Sequence, residues 1–426
     1  MKLKQSKSVE WTKLDNASKY FPATANELDT KVFRLSCELY EMIDPNILQK
    51  ALNKTIESFP FFKSILRRGV FWYYFESSDL IPEVSEESLS ICAPIYNKNT
   101  KNLLFRVFYY HKRISFEIFH ALSDGKGALL FLQTLVYHYL FYRYEEQFKN
   151  YKPALDYNAS IKKKMDDSFN KHFIGDNGFT RNVIDHNKRI KAHKIRGKRT
   201  EENRMKLIEG SMSVKAVLSE VKKDNTSLTI YLAALFIYSI YKEMNALERR
   251  RPIVLSVPIN LRQFFESDTA RNFFSTINIS YQFRKEETEL KDIIESITES
   301  FQKDLTVDKI NYKINRLISL EKNPFMRIIP LPIKDYSIRI ANKLVDRGIT
   351  GAISNIGKVQ MPEEFEPYIR QFTVCTSARR PQICMCSYGD QLVISFTSPF
   401  KDTEIQRRFF EHLSNKGIQI EISSNM

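Results

Sequence analysis

The residues best suited by type and spacing to do chemistry are a histidine and an aspartate four positions apart. They lie in the segment His120-Ala-Leu-Ser-Asp124-Gly125. An imidazole with a pKa of about 6.5 can accept a proton at neutral pH, so His120 is a candidate general base for activating an attacking hydroxyl or amine. Such a base must be held in one tautomer and one orientation. We predict that Asp124 braces the loop that holds it.

Local patterns place this motif between a strand and a helix. Residues 103–118 contain two apolar, β-branched segments joined by a polar turn, which predicts a hairpin. Apolar residues recur at helical spacing over 129–140. We therefore predict that Ser123 or Asp124 caps this helix and that Gly125 adopts a turn conformation.

Strand and helix patterns recur along the whole chain. Residues 31–40 alternate as a strand does, and Asp44-Pro45 then supplies an N-cap and a first-turn proline for a helix. The apolar run 228–241 predicts a buried helix, because it falls short of the ~20 residues that a membrane span needs. Further strands are predicted at 253–257, 351–356, 372–376, 383–388 and 391–396. The fold class is therefore α/β or α+β, with two similar layers.

The chain length and a long basic segment predict two domains. A chain of 426 residues suggests about two or three domains. Residues 150–202 are polar and basic, which is typical of a crossover between two halves. We predict an N-terminal domain at 1–185 with the histidine motif, a basic linker at 186–205, and a C-terminal domain at 206–426.

The charge balance favours an anionic partner without choosing one. Lys and Arg number 65 and Asp and Glu 50, giving a net charge of +15. This suits nucleic acid, anionic lipid or a phosphorylated cofactor. The basic segment lacks the interleaved aromatic residues and the recognisable module that nucleic-acid binding would require, so no nucleic acid is expected. No GxGxxG or GxxxxGK[ST] motif supports a nucleotide-cradling loop.

Other residue types argue against metal, redox and secretory roles. The five cysteines form no CxxC pair, and the remaining histidines show no ligand spacing, so we expect buried, reduced thiols and no metal. The first ten residues are basic without an apolar stretch behind them, which does not support a signal peptide. We expect a cytoplasmic monomer without a transmembrane segment.

The segment Phe119-His-Ala-Leu-Ser-Asp-Gly-Lys-Gly127 resembles the active-site motif of the chloramphenicol acetyltransferase-like superfamily. Trp11-Thr-Lys-Leu-Asp-Asn16, Pro258-Ile-Asn-Leu-Arg262 and Ile353-Ser-Asn-Ile-Gly357 resemble it too, in matching order and spacing. That superfamily includes alcohol acetyltransferases, polyketide-associated acyltransferases, wax ester synthases, plant acyltransferases and condensation domains. The nearest resemblance is to bacterial alcohol acetyltransferases.

This resemblance implies two chloramphenicol acetyltransferase-like sandwich domains with an active-site tunnel between them. It implies that His120 is the general base and that Asp124 is structural, paired with an arginine for which Arg262 is the candidate. No cofactor is implied to be permanently bound, and acyl-CoA, such as acetyl-CoA, is the implied donor. A small-molecule or lipid alcohol, or an amine, is the implied acceptor.

A tetrahedral intermediate in this reaction needs hydrogen-bond donors aimed at its oxyanion. Ser354 and Asn355 are candidates by their position near the expected tunnel, and Asn260 is a further tunnel candidate. All three are also residue types that simply form turns.

Two other functions stay open from the sequence. One is condensation of an acyl group bound to an acyl carrier protein, and the other is binding on the same fold without catalysis. Condensation domains and wax ester synthases usually carry two successive histidines, whereas the first position here is Phe119. The second histidine is the one that acts in those proteins, so catalysis by His120 is compatible with this difference.

Overall fold

The computed structural model describes residues 10–149, 153–155, 159–173, 191–201, 204–284 and 287–425. Part of the predicted linker, including 186–190 and 202–203, lies outside these residues. Among the helices of the described residues, none is both long and apolar enough to cross a membrane.

The described chain contains both strands and helices in each half. The strands are β1 (Trp11–Lys13), β2 (Val32–Leu39), β3 (Ser64–Arg68), β4 (Tyr73–Ser77), β5 (Val84–Glu86), β6 (Phe105–Tyr110), β7 (Arg113–Phe119), β8 (Lys206–Ser213), β9 (Ile253–Asn260), β10 (Phe274–Tyr281), β11 (Gly351–Lys358), β12 (Ile369–Thr376), β13 (Gln382–Tyr388), β14 (Gln391–Ser398) and β15 (Ile420–Ser424). The α-helices are α1 (Tyr20–Thr24), α2 (Pro45–Ser58), α3 (Gly125–Arg143), α4 (Ile161–Met165), α5 (Ser168–Lys171), α6 (Val214–Lys223), α7 (Leu228–Tyr241), α8 (Leu290–Asp304), α9 (Val307–Lys322), α10 (Pro324–Ile328), α11 (Leu331–Asp346) and α12 (Glu404–Asn415). The predicted mixed α/β class is confirmed.

The first large sheet carries the histidine motif. It has five strands in the order β12-β2-β7-β6-β5, and helices α2 and α3 pack together beside it. The predicted hairpin is β6 and β7, with His111 at a positive φ in its turn. As predicted, Asp44 caps α2, its carboxylate accepting from the N–H groups of Asn46 and Ile47. An apolar core of aromatic and aliphatic side chains joins these helices to the sheet.

The second large sheet is built mostly from the C-terminal half. Its seven strands run in the order β10-β9-β11-β13-β14-β8-β15. The apolar helix α7 is buried as predicted and contacts both α8 and α12. Strand β11 pairs in parallel with β9 and β13, while the other pairs in this sheet are antiparallel.

One strand crosses from the C-terminal half into the first sheet. Strand β12 pairs with β2, with Val374 opposite Leu35. The Sγ of Cys386 on β13 lies 3.2 Å from the carbonyl oxygen of Phe372 on β12. The first sheet therefore includes a strand from the C-terminal half of the chain, and this strand contacts β13 of the second sheet. The domain boundaries at 185 and 205 stay predictions.

Two features differ from the sequence-based expectations or extend them. Gly125 was expected in a turn conformation, but it is the first residue of α3, because Asp124 already provides the non-helical cap. Helices α9, α10 and α11 occupy residues 307–346, where we predicted no elements. The five cysteines are buried as free thiols.

Candidate active site

A cavity of about 1150 Å³ lies where the two large sheets meet. The first sheet contributes Phe33 and Val374 to its wall, and the second contributes Ser275 and Ser354. Helices α9 to α11 form much of the remaining wall. His120 lines this cavity directly after the end of β7. The geometry therefore offers a reaction chamber with an imidazole in its wall.

The imidazole of His120 is held by Asn272. The amide oxygen Oδ1 of Asn272 lies 3.2 Å from Nδ1 of His120. The amide Nδ2 of Asn272 donates to the carbonyl oxygens of His120 at 3.0 Å and Ala121 at 3.3 Å, and to Oγ of Ser18 at 3.0 Å. These three acceptors fix the orientation of the amide, so its oxygen must face the histidine. Nδ1 then carries the proton, and Nε2 has the free lone pair of a base.

Aromatic rings surround His120 and desolvate it. Phe21 stacks on the imidazole with ring centroids 4.3 Å apart and an interplanar angle of 11°. Phe33 and Phe274 lie 4.9 Å and 5.4 Å from it. Burial among these rings lowers the pKa of His120 below its ordinary value, although a hydrogen bond to its own backbone, the charge of Asp124 and the amide of Asn272 act in the opposite direction. The imidazole is therefore neutral at physiological pH, which is the protonation state that a general base requires.

The strand that ends at His120 is fixed by a buried carboxylate. Glu117 on β7 is fully buried and accepts from Nε of Arg34 at 2.9 Å and from Nε of Arg106 at 2.8 Å. It also accepts from the backbone N–H of Cys92 at 2.7 Å. Two arginines and a backbone donor together satisfy the charge, as a buried ion requires. This network holds the end of β7 rigidly.

Asp124 connects the start of α3 to the second half of the chain. Its Oδ1 accepts from the N–H of Gly127 at 2.9 Å, which caps the helix. Its Oδ2 accepts from Nη1 of Arg262 at 2.8 Å and from the N–H of Phe273 at 2.8 Å. Asp124 and Arg262 are thus an ion pair, in agreement with the partner that the resemblance suggested. Both side chains are about nine-tenths or more buried.

Arg262 uses the rest of its guanidinium to organise the loop that carries Asn272. It donates to the carbonyl oxygens of Thr269 and Arg271, both at 2.8 Å. It also donates to Oδ1 of Asn260 at 3.2 Å. One guanidinium therefore connects Asp124 to the segment that positions His120.

The segment 11–16 also reaches this loop. Asp15 and Arg271 are both buried, with Nε of Arg271 3.7 Å from Oδ2 of Asp15. Nη2 of Arg271 donates to the carbonyl oxygen of Lys13 at 2.6 Å. Burial raises the pKa of Asp15 despite the nearby Arg271. The Lys-Leu-Asp opening thus supports the loop behind the histidine.

Two glycines in the motif have different structural roles. A Cβ on Gly127 would come within 2.0 Å of the carbonyl oxygen of Ala270 and 2.3 Å of Oγ of Ser123. That backbone contact requires glycine at position 127. A Cβ on Gly125 would meet only the flexible end of Ile356, at 2.7 Å.

The remaining predicted site residues, Asn260, Ser354 and Asn355, all line the cavity, but they differ in their hydrogen bonds. Oδ1 of Asn260 accepts from the backbone N–H of Arg262 at 3.1 Å. Nδ2 of Asn355 donates to Oγ1 of Thr229 at 3.0 Å, and its Oδ1 accepts from the N–H of Gly357 at 2.8 Å. Ser354 lies in the cavity wall on β11. Of the two oxyanion candidates, Asn355 therefore already uses its amide in bonds within the protein.

The cavity wall is basic as well as apolar. Basic side chains outnumber acidic ones in the wall. The basic residues are Lys13, Lys19, Lys31, Lys126, Lys313, Lys334, Arg262 and Arg327, and the acidic ones are Asp29, Asp124, Glu321, Asp335 and Asp346. Lys19 pairs with Glu321 and Lys31 with Asp29. Burial, followed by the nearby Arg262, lowers the pKa of Lys126, which is the residue after Gly125. An anionic ligand would be attracted to this chamber. Among the described residues, no group of three His, Cys, Asp or Glu side chains is arranged to hold a metal ion.

Sequence reasoning missed Asn272, the residue that contacts the imidazole of His120. It lies in Arg271-Asn-Phe-Phe274, just before β10, with no local pattern that marks it as functional. Its role arises because the loop 269–273 returns to the motif 152 residues earlier in the chain. The one local feature that could have indicated a role for Asn272 is the polar pair Arg271-Asn272 just before the start of a strand.

By sequence, the chain matches no protein-family model and no curated protein. Its structure resembles polyketide synthase associated protein 5 from Mycobacterium tuberculosis with a TM-score of 0.62 and 14% identity, over 94% of this chain and 96% of that chain. It resembles the TRI101 protein of F. sporotrichioides, solved with coenzyme A and T-2, with a TM-score of 0.61 and 11% identity, over 96% and 99%. It resembles the first condensation domain of the CDA synthetase with a TM-score of 0.61 and 13% identity, over 96% of each chain.

Of these neighbours, TRI101 and the condensation domain, like the acetyltransferase TRI3, have the fold of the CoA-dependent, chloramphenicol acetyltransferase-like superfamily. The predicted resemblance to that superfamily is confirmed at the level of the fold, over about 95% of the chain. The protein has the two-domain fold of condensation and acyltransferase enzymes.

Proposed function

We propose that this protein transfers an acyl group from coenzyme A to an alcohol or amine, with Nε2 of His120 as the general base. The observation that carries the proposal is the contact between His120 and Asn272, because it leaves the basic nitrogen free in the wall of a large cavity. The neutral imidazole and the fold of the neighbouring acyltransferases support the same function.

In the proposed reaction, His120 takes a proton from the acceptor and later returns it to the leaving thiolate. Nε2 of His120 takes the proton of the acceptor hydroxyl as its oxygen attacks the thioester carbonyl, and the carbonyl electron pair moves onto oxygen. When the tetrahedral intermediate collapses, the C–S bond breaks and the thiolate takes the proton from the imidazolium. The products are an ester and the free thiol, and His120 returns to its neutral form.

The oxyanion requires donors that need no reorganisation. Ser354 is the side-chain candidate that we retain, because Asn355 bonds to Thr229 and Gly357. The start of α3 at Gly125 also lines the cavity. The N–H of Gly127 is bonded to Asp124, so the N–H groups of Gly125 and Lys126 are the backbone candidates there. Their partial positive charge would favour negative charge in the chamber.

The charge of the cavity wall and the fold both support a CoA thioester as the donor. A CoA thioester carries several phosphates, and the basic cavity wall suits a polyanion. Structures of TRI101 contain coenzyme A on this fold. The resemblance implies that donor and acceptor approach His120 from opposite ends of the tunnel. We propose that the protein works in this way as a monomer.

A thiol-release assay tests the proposal. The purified protein would be given acetyl-, butyryl- or palmitoyl-CoA with a panel of alcohols and amines, and free thiol would be measured over time. We expect release that depends on both the donor and the acceptor. Turnover only with an acyl group on a carrier protein would instead establish condensation chemistry, for which the condensation-domain neighbours are the supporting observation.

The binding-only alternative has a different signature. A protein without catalysis would bind acyl-CoA, measured by calorimetry, and release no thiol with any acceptor in the panel. Phe119, at the position of the first histidine in condensation domains, is fully buried and stacks on Tyr96 at 5.1 Å. It therefore belongs to the core and leaves the cavity to His120.

A further inference from the structure

Helix α11 has an apolar stripe on its outer face. Ile333, Tyr336, Ile340 and Leu344 follow at intervals of three, four and four residues, so they share one side of the helix. All four are exposed, Tyr336 by 65%. The opposite side packs inward through buried Leu331 and Asp335. The helix thus has one face directed into the protein and an apolar outer face that the described part of the chain does not cover.

The neighbouring elements extend this surface. Every residue of the short helix α10 is exposed, with Phe325 at 78% and Ile328 at 68%. The turn between β3 and β4 lies beside it, since the N–H of Leu331 donates to the carbonyl oxygen of Val70 at 2.8 Å. That turn carries the partly exposed Trp72. We call Phe325, Ile328, Ile333, Tyr336, Ile340 and Leu344 the outer apolar face.

The charges around the outer apolar face are basic. Residues 324–347 contain five basic side chains, which are Arg327, Lys334, Arg339, Lys343 and Arg347. The two acidic side chains of this segment are bonded to other parts of the protein. Asp335 is buried against the hydroxyl of Tyr73, and Asp346 pairs with Arg379 and Arg380.

The outer apolar face borders the active-site cavity. Met326, Arg327 and Lys334 belong to its helices and also line the cavity, as does Trp72 on the adjacent turn. A molecule that leaves an apolar phase beside α10 would therefore meet the cavity wall directly. This position distinguishes the face from single exposed apolar residues elsewhere, which need no explanation.

We propose that the outer apolar face docks the protein onto an anionic lipid bilayer, with α10 and α11 lying in the interface. Apolar side chains on one side of a helix, flanked by lysine and arginine, are the pattern that binds such surfaces. Trp72 and Tyr336 are amphipathic rings suited to the headgroup level. The docking itself does not require acyl transfer. Combined with the proposed acyl transfer, on which this step rests, docking implies that the acceptor is an apolar alcohol dissolved in the bilayer.

Sedimentation with lipid vesicles tests the docking. The full-length protein would be mixed with vesicles of pure phosphatidylcholine or of equal parts phosphatidylcholine and phosphatidylglycerol. We expect binding to the mixed vesicles that weakens as salt is raised, because the lysine and arginine contacts are screened. We expect Ile328→Asp to weaken this binding at least about tenfold. Failure of the wild-type protein to sediment with the mixed vesicles would overturn the proposal.

A matched variant and two further readouts make the result specific. Ile422→Asp makes the same change at an exposed position on β15, the far edge of the second sheet, and should leave vesicle binding unchanged. Equal loss of binding in both variants would contradict docking through this face. So would a dimer that Ile328→Asp dissociates without any vesicle binding, or retention only by an acidic carrier protein. Because the sedimentation assay contains neither acyl donor nor acyl acceptor, it tests docking independently of acyl transfer.

Discussion

The amide oxygen of Asn272 lies 3.2 Å from Nδ1 of His120, although the two residues are 152 positions apart. The other end of the same amide donates to the carbonyl oxygens of His120 and Ala121. Asn272 therefore fixes both the backbone and the ring of the proposed base. This contact makes Asn272 a positioning residue whose removal should change how His120 titrates.

Asn272→Ala should lower activity and move its pH dependence. The Asn272 hydrogen bond raises the pKa of His120, so its loss should move the acid limb of kcat/KM to lower pH. The unfilled acceptors should also cost more than about 2 kcal/mol of stability, measured by urea unfolding. Asn278→Ala, at an exposed position on β10, should leave both unchanged. A lower kcat without a shift of the acid limb would mean that Asn272 is merely structural.

His120→Ala should abolish acyl transfer while the protein stays folded. Loss of a general base lowers kcat by about 10²- to 10⁴-fold. Thiol release measures the rate, and circular dichroism checks the fold. His138→Ala on α3 is the matched control, because it removes an imidazole elsewhere on the motif's helix. Unchanged thiol release by His120→Ala would eliminate the proposed mechanism.

Asp124→Asn should destabilise the protein far more than the same change at another helix cap. Asparagine can still cap α3, but it leaves the buried guanidinium of Arg262 without its counter-charge, at a cost of about 3–5 kcal/mol. Asp44→Asn at the partly exposed cap of α2, whose pair with Arg143 is also partly exposed, should cost less than about 1 kcal/mol. The free energies of unfolding in urea compare the two. Similar losses of unfolding free energy in the two variants would show that the ion pair between Asp124 and Arg262 adds little to stability.

Gly127→Ala should be poorly tolerated and Gly125→Ala should not. At position 127 the added methyl group meets a backbone oxygen and the Ser123 hydroxyl, so the start of α3 would have to shift, at more than about 3 kcal/mol. At position 125 only the Ile356 side chain must move. Thermal melting of the two variants provides the measurement. Equal melting temperatures would show that the loop at Ala270 can move away from residue 127 at little cost in free energy.

The stability of the protein should fall as the pH falls below about 6.5. Burial lowers the pKa of His120, His193 and His412 in the folded chain, whereas the unfolded imidazoles titrate near 6.5. Below that pH the unfolded chain holds more protons, so protonation favours unfolding until the folded pKa values are reached. Unfolding free energies measured from pH 8 to pH 5 should decrease, and His120→Gln should flatten this decrease. A slope identical in wild type and His120→Gln would contradict the lowered pKa of His120.

The sequence alone determined the local elements around the site. Periodicity and caps depend on neighbours within a few residues, so they predicted β7, a cap at Ser123 or Asp124, α2 and the buried α7. The motif and its resemblance also identified His120 and suggested Arg262. Helices α9 to α11 were missed, since the residues 307–346 were assigned no pattern.

The tertiary structure decided which distant residues meet His120. The loop before β10 brings Asn272 to the imidazole, and β12 crosses into the first sheet, because sheet register and chain routing set such contacts. Local patterns do not encode them. The requirement for glycine at position 127 likewise comes from the backbone of Ala270. The sequence named His120 as the candidate base, and long-range packing supplied the partner of its ring, the burial that lowers its pKa and the cavity that it lines.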